Sequence, residues 1–220
     1  ASTDVTFGFN TAIDVVTEAL DRLHTTAESH HRIMLCEVMG RNAGWIALES
    51  GIAGSADVIL IPEIPYDLNK IIDKVKERES CGKNFTIIVV AEGAKPKDGN
   101  VVISKIVKDS PDPIRLGGIG NKLAGDIECL MKDKEVRCTV LGHIQRGGNT
   151  CTYDRILSTR YGVAAVEMIV NREFGKMVCL KGDTITSDTL ENVIGQKTKN
   201  VNPDGELVNM AKKIGISFAD

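Results

Sequence analysis

Four arginines, a glutamate, a histidine and several glycines stand where apolar runs of this chain begin or break off. Together they have the chemistry of an anion site. In "SHHRIMLCEVMGR" (29–41) Arg32 precedes the apolar run, and Met39, Gly40 and Arg41 close it. The run "FTIIVVAEG" (85–93) ends on Glu92 and Gly93. "EVRCTVLG" (135–142) is followed by Gly142, His143, Ile144, Gln145, Arg146, Gly147 and Gly148, with Arg137 near its other end. A guanidinium's planar fork matches phosphate oxygens. One charge-assisted hydrogen bond contributes roughly 1.5–3 kcal/mol. Three would reach micromolar affinity, about −8 kcal/mol, with a margin for lost freedom. Glu92 cannot favour a phosphate and would accept hydrogen bonds from hydroxyls. Cations with one such acceptor fit a phosphorylated sugar.

Single residues carry less. A lone arginine at a strand end is more often a surface ion-pair partner. It is Arg41 and Arg146 together, both in glycine-containing loops, that favour a site. His143 reads equally well as a ligand residue or as a core histidine satisfied by backbone. "GGIGNK" (117–122) has the look of a phosphate loop but follows "SPDPIRL" instead of a strand, so it reads as a helix start. His24, His30 and His31 have no metal-ligand spacing with any carboxylate or cysteine, and no metal is expected on them.

The elements that must position these residues alternate. Ile13, Val16, Leu20 and Leu23 in 10–26 fall at helical spacing, with Asn10 or Thr11 available as N-cap. A strand is predicted at about 32–38, a short helix over 44–53, a strand at 57–63 and an amphipathic helix at 66–80. Then come a strand at 85–93, a helix at about 118–131, a strand at 135–142, a long helix at 153–171 and a strand at 176–183. Residues 94–116 read as a long loop or insertion. The polar tail holds one more helix near 204–214. Strands apolar throughout, alternating with amphipathic helices, predict an α/β fold: a parallel sheet covered on both faces. In such folds ligands gather beyond the carboxyl ends of the strands, where Arg41, Glu92 and Arg146 stand.

Composition narrows the field. The 220 residues are 42% hydrophobic and 26% charged, ordinary for a globular chain. A net charge of −3 and 4% aromatics argue against nucleic acid and a membrane surface. Cys36, Cys81, Cys129, Cys138, Cys151 and Cys179 show no C-x-x-C spacing, which predicts reduced thiols with neither zinc nor disulfides. With no long apolar span and no secretion signal, a cytoplasmic location is expected.

Several stretches, in order, resemble the 6-phosphofructokinase family: "TDVTFGFNTA" (3–12), "SHHRIMLCEVMGRNAGWIAL" (29–48), "ADVILIPE" (56–63), "VLGHIQRGG" (140–148) and "YDRILSTRYGVAA" (153–165). The resemblance implies a phosphofructokinase-like sugar-binding domain with part of a second domain. It also implies that fructose 6-phosphate binds where the residues above suggest an anion. Arg32, Arg137 and His143 match residues holding the 6-phosphate. Met39, Gly40 and Arg41 match a turn beside the reacting end, Glu92 a carboxylate on sugar hydroxyls, and Arg146, at the end of the His143-Ile144-Gln145-Arg146 stretch, a further phosphate contact. The family's equivalents of Arg32 and Arg137 reach in from a neighbouring subunit, which implies a homodimer or tetramer with a shared sugar site. "TFGFNTA" and "GRNAGWIAL" look closer to the pyrophosphate-dependent and mixed branches than to the allosteric ATP enzymes. Asp57 and Lys83 match two positions of the bacterial effector site, where His24 stands in place of an arginine.

The family's T-I-D-N-D motif, with its catalytic aspartate, and its Gly-Gly-Asp-Gly donor loop do not occur in these 220 residues. The resemblance places both ahead of Ala1, together with Mg²⁺ and the donor, ATP or pyrophosphate. The expectation is therefore the carboxy-terminal part of a kinase, inactive alone. Residues 1–146 would form the sugar domain, with its insertion at about 94–116. Residues 147–175 would pack on the absent donor domain, and 176–220 would return to the sugar domain. The alternative is a non-catalytic phosphosugar-binding or regulatory module.

Overall fold

The computed structural model describes residues 2–106, 114–196 and 198–220. Helix α1 (Phe9–His30) turns Ile13, Val16, Leu20 and Ala27 inward at the spacing that makes one apolar face. Its N-cap is neither Asn10 nor Thr11. The helix starts earlier, after Gly8 at φ +88°, and its Thr11 amide is capped from far away by Asp154. Strand β1 (Ile33–Val38) follows, then α2 (Trp45–Ala53), β2 (Val58–Leu60), α3 (Leu68–Ser80) and β3 (Thr86–Ala91). Asp67 caps α3 by accepting the Asn69 amide at 2.8 Å.

The stretch read as an insertion contains a small antiparallel pair, β4 (Ile103–Ile106) and β5 (Ile114–Leu116). Residues 107–113 of that stretch lie outside the described residues. Helix α4 (Ile119–Leu130), strand β6 (Val136–Val140), a 3₁₀ turn (Gly142–Arg146) and the long α5 (Thr152–Val170) complete the middle of the chain.

Strands β2, β3, β1 and β6 form one parallel sheet in that order. Alternate residues of each strand enter two cores. Met34, Cys36 and Val38 of β1 meet α1 and α2 on one face. Ile33 and Leu35 meet α3 and α4 on the other. Both faces are covered, which is why the strands read as unbroken apolar runs.

Glu37 is the polar exception in β1. It is 3% exposed, and its carboxylate accepts the Gly118 amide at 3.0 Å and the Gly120 amide at 2.8 Å. The "GGIGNK" stretch is thus a helix start whose anion slot is filled by the protein's own carboxylate.

Two elements past α5 differ from the reading by pattern. Strand β7 (Lys176–Lys181) is outside the main sheet; it pairs antiparallel with β8 (Thr184–Thr189), and α6 (Leu190–Gly195) follows. "TITSDT" is rich in β-branched residues but has a single apolar side chain, so it shows no apolar alternation. The tail, polar on average, buries Val201, Ile216 and Phe218, with Val208 and Ala211 of α7 (Glu206–Lys213), in the first core. The Ser217 carbonyl accepts the Ile59 amide at 2.9 Å, so the tail lines the free edge of β2.

Helix α5 buries only Asp154 and Leu157. Ile156, Val163, Val166, Ile169 and Val170 lie exposed, Val170 at 75%. These apolar side chains are left uncovered by the other described residues.

Candidate sugar-phosphate site

The register sets Val38 beside Ala91 and Glu37 beside Val140, so β1, β3 and β6 end nearly level. Their outgoing turns therefore meet at one edge, around a cleft of about 580 Å³. Met39, Gly40, Arg41, Glu92, Gln145 and Arg146 line it, and the glycines 147 and 148 close one side. Six of the ten residues singled out for substrate come together here. Gly8, Thr11, Ala12 and Thr150 also line it. Periodicity could not show them as site residues, since they reach the cleft only because the first turn of α1 docks beside the 142–150 loop; "TFGFNTA" was the available signal.

Backbone bonds hold the turns together. The Glu92 amide donates to the Val38 carbonyl at 2.9 Å, and the Gly93 amide to the Gly40 carbonyl at 3.2 Å. Gln145, 2% exposed, accepts the Met39 amide at 3.2 Å and donates to the Gly142 carbonyl at 3.0 Å. It ties the β1 turn to the β6 turn. Gly40 sits at φ +151°, with Ala43 O and Ala91 Cβ close to where a side chain would stand. Glu63 was not read as functional, yet both its oxygens accept the Gly44 amide at 3.1 Å, and Oε1 accepts the Val201 amide at 2.8 Å. It fastens the 41–44 loop to the tail.

One side of the cleft rests on a buried carboxylate. Asp154, 1% exposed, accepts the Thr11 amide at 2.8 Å and the Thr11 hydroxyl at 2.6 Å. Burial works to raise its pKa, but these bonds and the Gly8 amide prevail and hold it below the usual carboxylate range.

Arg32 and Arg137 do not enter this cleft. They stand at the opposite ends of β1 and β6, one strand length away, roughly 15–20 Å at 3.3 Å per residue. Glu135 joins them: Oε2 accepts Arg32 Nε at 2.6 Å, and Oε1 pairs with Arg137. The Arg32 hydrogen bond, then the charges of Arg137 and Arg32, lower the Glu135 pKa.

His143 and Ile144 are on the 3₁₀ turn but face outward, Ile144 at 68% exposure, and neither lines the cleft. The reading of His143 as a core histidine is thereby excluded. Asp57 is engaged inside the chain, with Oδ1 on Arg78 at 2.5 Å and Oδ2 accepting the Ile87 amide at 2.8 Å. Burial raises its pKa against the pull of that amide and Arg78. Lys83 is exposed after α3, and His24 meets the Gly54 carbonyl at 2.8 Å.

Among the described residues no three His, Cys, Asp or Glu side chains gather as a metal site. All six cysteines are free thiols. Burial pushes Cys36 to about 12 and Cys138 to about 11, which keeps both protonated. Among the described residues no helix is long and apolar enough to cross a membrane.

Known proteins place this geometry in a family. The chain is 78% identical over 219 residues to the ATP-dependent 6-phosphofructokinase 2 of Clostridium perfringens, covering 100% of itself and 60% of that protein. It is 48% identical over 218 residues to the pyrophosphate–fructose 6-phosphate 1-phosphotransferase of Streptomyces coelicolor, covering 99% of itself and 61% of that protein. The chain thus spans about 60% of the length of these curated relatives. The structure of phosphofructokinase from Saccharomyces cerevisiae superposes with a TM-score of 0.73 at 34% identity, over 88% of this chain and 24% of that one. The profile of the family described as Phosphofructokinase matches residues 1–169, the span that carries the four-stranded sheet and every residue lining the cleft. The α/β sheet, its order of turns and this match agree: the chain belongs to the phosphofructokinase family.

Proposed function

We propose that this chain is the sugar-binding part of a cytoplasmic 6-phosphofructokinase, which transfers a phosphoryl group to the 1-hydroxyl of fructose 6-phosphate in glycolysis. The observation that carries this reading is the division of its cations. Arg41 and Arg146 line a cleft with Glu92, while Arg32 and Arg137 lie a strand length away on another edge. A monomer cannot bring all four to one ligand, whereas two copies placed edge to cleft can. The assembly is therefore at least a homodimer with shared sites.

In this reading Glu92 accepts hydrogen bonds from sugar hydroxyls. Arg41 and Arg146 neutralise phosphoryl charge at the reacting end, and Gln145 fixes the turn that carries them. Arg32 and Arg137 of a second copy, with His143, take the 6-phosphate. The proton of the 1-hydroxyl passes to an aspartate that the family resemblance places ahead of Ala1. Mg²⁺, when bound with the donor, would neutralise its phosphates. The 78% identical relative, named for ATP, favours ATP as donor; the Streptomyces relative supports pyrophosphate as the second reading. The exposed face of α5 is where the donor domain would pack.

Titration of the assembled protein with fructose 6-phosphate and with fructose tests these roles. Arg137→Ala is expected to weaken the phosphorylated sugar roughly 10- to 100-fold, the value of a lost charged hydrogen bond, and to leave fructose almost unchanged. Equal losses for both sugars would remove the phosphate assignment. Glu92→Gln is expected to weaken both. Unchanged fructose binding would take away its role as hydroxyl acceptor.

A further inference from the structure

Neither Arg32 nor Arg137 is held by the sheet alone; both are held by Glu135. Its two carboxylate oxygens are divided between them, Oε2 to Arg32 Nε at 2.6 Å and Oε1 to Nη2 of Arg137. The geometry leaves donors over. Each guanidinium carries five N–H groups, and Arg32 spends its inner one on Glu135 while Arg137 gives another to the Val136 carbonyl at 3.1 Å. Arg137 remains 55% exposed and Arg32 25% exposed, so their remaining donors can meet an incoming group. Glu128, 3.8 Å from Arg137, is the only other carboxylate paired with either arginine among the described residues.

We infer that Glu135 is a positioning residue: its bridging carboxylate holds Arg32 and Arg137 side by side as one paired receptor for the phosphate monoester of a sugar bound in a second copy. This rests on the function proposed above and extends it to a residue that need not touch the ligand. Glu135 relieves the repulsion between two cations brought together and fixes both long side chains before binding. Ordering that would otherwise be paid on association is thereby already done. Its backbone adds to the placement, because the Glu135 carbonyl accepts the Ile33 amide at 3.1 Å and sets β6 against β1 next to Arg32.

The test is Glu135→Gln in the complete assembled enzyme, beside Arg137→Ala and the double variant. Glu135→Gln keeps the shape and removes the charge. KM for fructose 6-phosphate is expected to rise roughly tenfold with kcat nearly unchanged, a part of what a charged hydrogen bond is worth, and fructose binding is expected to stay the same. Since Glu135 acts through both arginines, the double variant is expected to lose less than the sum of the two single variants, the remainder being its hold on Arg32. Glu135→Asp, which retains the charge, should recover part of the loss and serves if the glutamine variant changes the mass in solution. Tighter binding in Glu135→Gln would make the carboxylate a competitor of the phosphate and overturn the inference. Full additivity in the double variant would overturn it too. If Arg137→Ala itself discriminates nothing between the two sugars, it is the proposed site that fails; if only Glu135→Gln is silent, the site stands and the positioning role goes.

Discussion

Gly93→Ala is expected to cost this protein stability and sugar affinity together. The Cβ of an alanine at 93 would fall 2.1 Å from the Arg41 carbonyl oxygen, 2.8 Å from its carbon and 2.9 Å from the Gly40 oxygen. These are backbone atoms, so no rotamer change relieves the clash. The Gly93 backbone is not left-handed, and alanine could adopt its conformation; only space forbids the methyl. The turn from Met39 to Arg41 must therefore move by about an ångström, breaking the bond from the Gly93 amide to the Gly40 carbonyl. Overpacking of this kind costs roughly 1–3 kcal/mol. Because the displaced turn carries Arg41, affinity for fructose 6-phosphate should fall at least about tenfold, as for loss of one charged hydrogen bond. Denaturation midpoint and sugar titration on one preparation check both. A protein that loses stability yet binds as before would show that the turn does not hold the sugar.

Asp154→Asn should be the larger loss of stability, and its pH dependence has a definite sign. The wild-type carboxylate takes two bonds from Thr11, while its Oδ1 is buried without a partner among the described residues. An amide with its oxygen toward Thr11 buries an NH₂ beside that empty position. Turned the other way, it sets a donor against the Thr11 amide. Either orientation costs roughly 2–3 kcal/mol, the value of a charged buried bond or of an unsatisfied group. The folded pKa lies below the ordinary 3.8, so the carboxylate's stabilisation is fully present above that value. It is lost as pH falls through 3.8 toward the folded pKa. The difference in unfolding free energy between wild type and Asp154→Asn should thus be constant from neutral pH down to about pH 5 and shrink below about pH 4. A difference that persists undiminished at pH 3 would mean that the charge of Asp154 does not account for it. Since Asp154 caps the first turn of α1, the variant should also loosen Thr11 at the side of the cleft.

Much of the fold could be read along the chain. Runs such as 85–91, short, β-branched and apolar throughout, read as strands buried on two faces, and Ile13, Val16 and Leu20 as one side of a helix. The tendency of ligands to gather beyond the carboxyl ends of parallel strands singled out Arg41, Glu92 and Arg146. Strand β8 and the docking of the tail were hidden. β8 gains its order from pairing with β7 and has no apolar alternation of its own, and the tail's buried residues are too widely spaced to raise its average hydropathy.

By itself, then, the sequence determined which segments are helices or buried strands and which residues stand at the strand ends, since both follow from short-range periodicity. Tertiary structure alone decided the contacts between residues more than a hundred positions apart. It is the reason Asp154 caps a helix that begins at Phe9, Glu63 fastens a loop to Val201, and Gln145 locks the Met39 turn. It also decided that Arg32 and Arg137 share Glu135 on one edge while Arg41 and Arg146 share a cleft on another. No local pattern encodes such contacts. They arise when the strands align in register and bring distant turns, with their unpaired backbone groups and charges, within hydrogen-bonding distance.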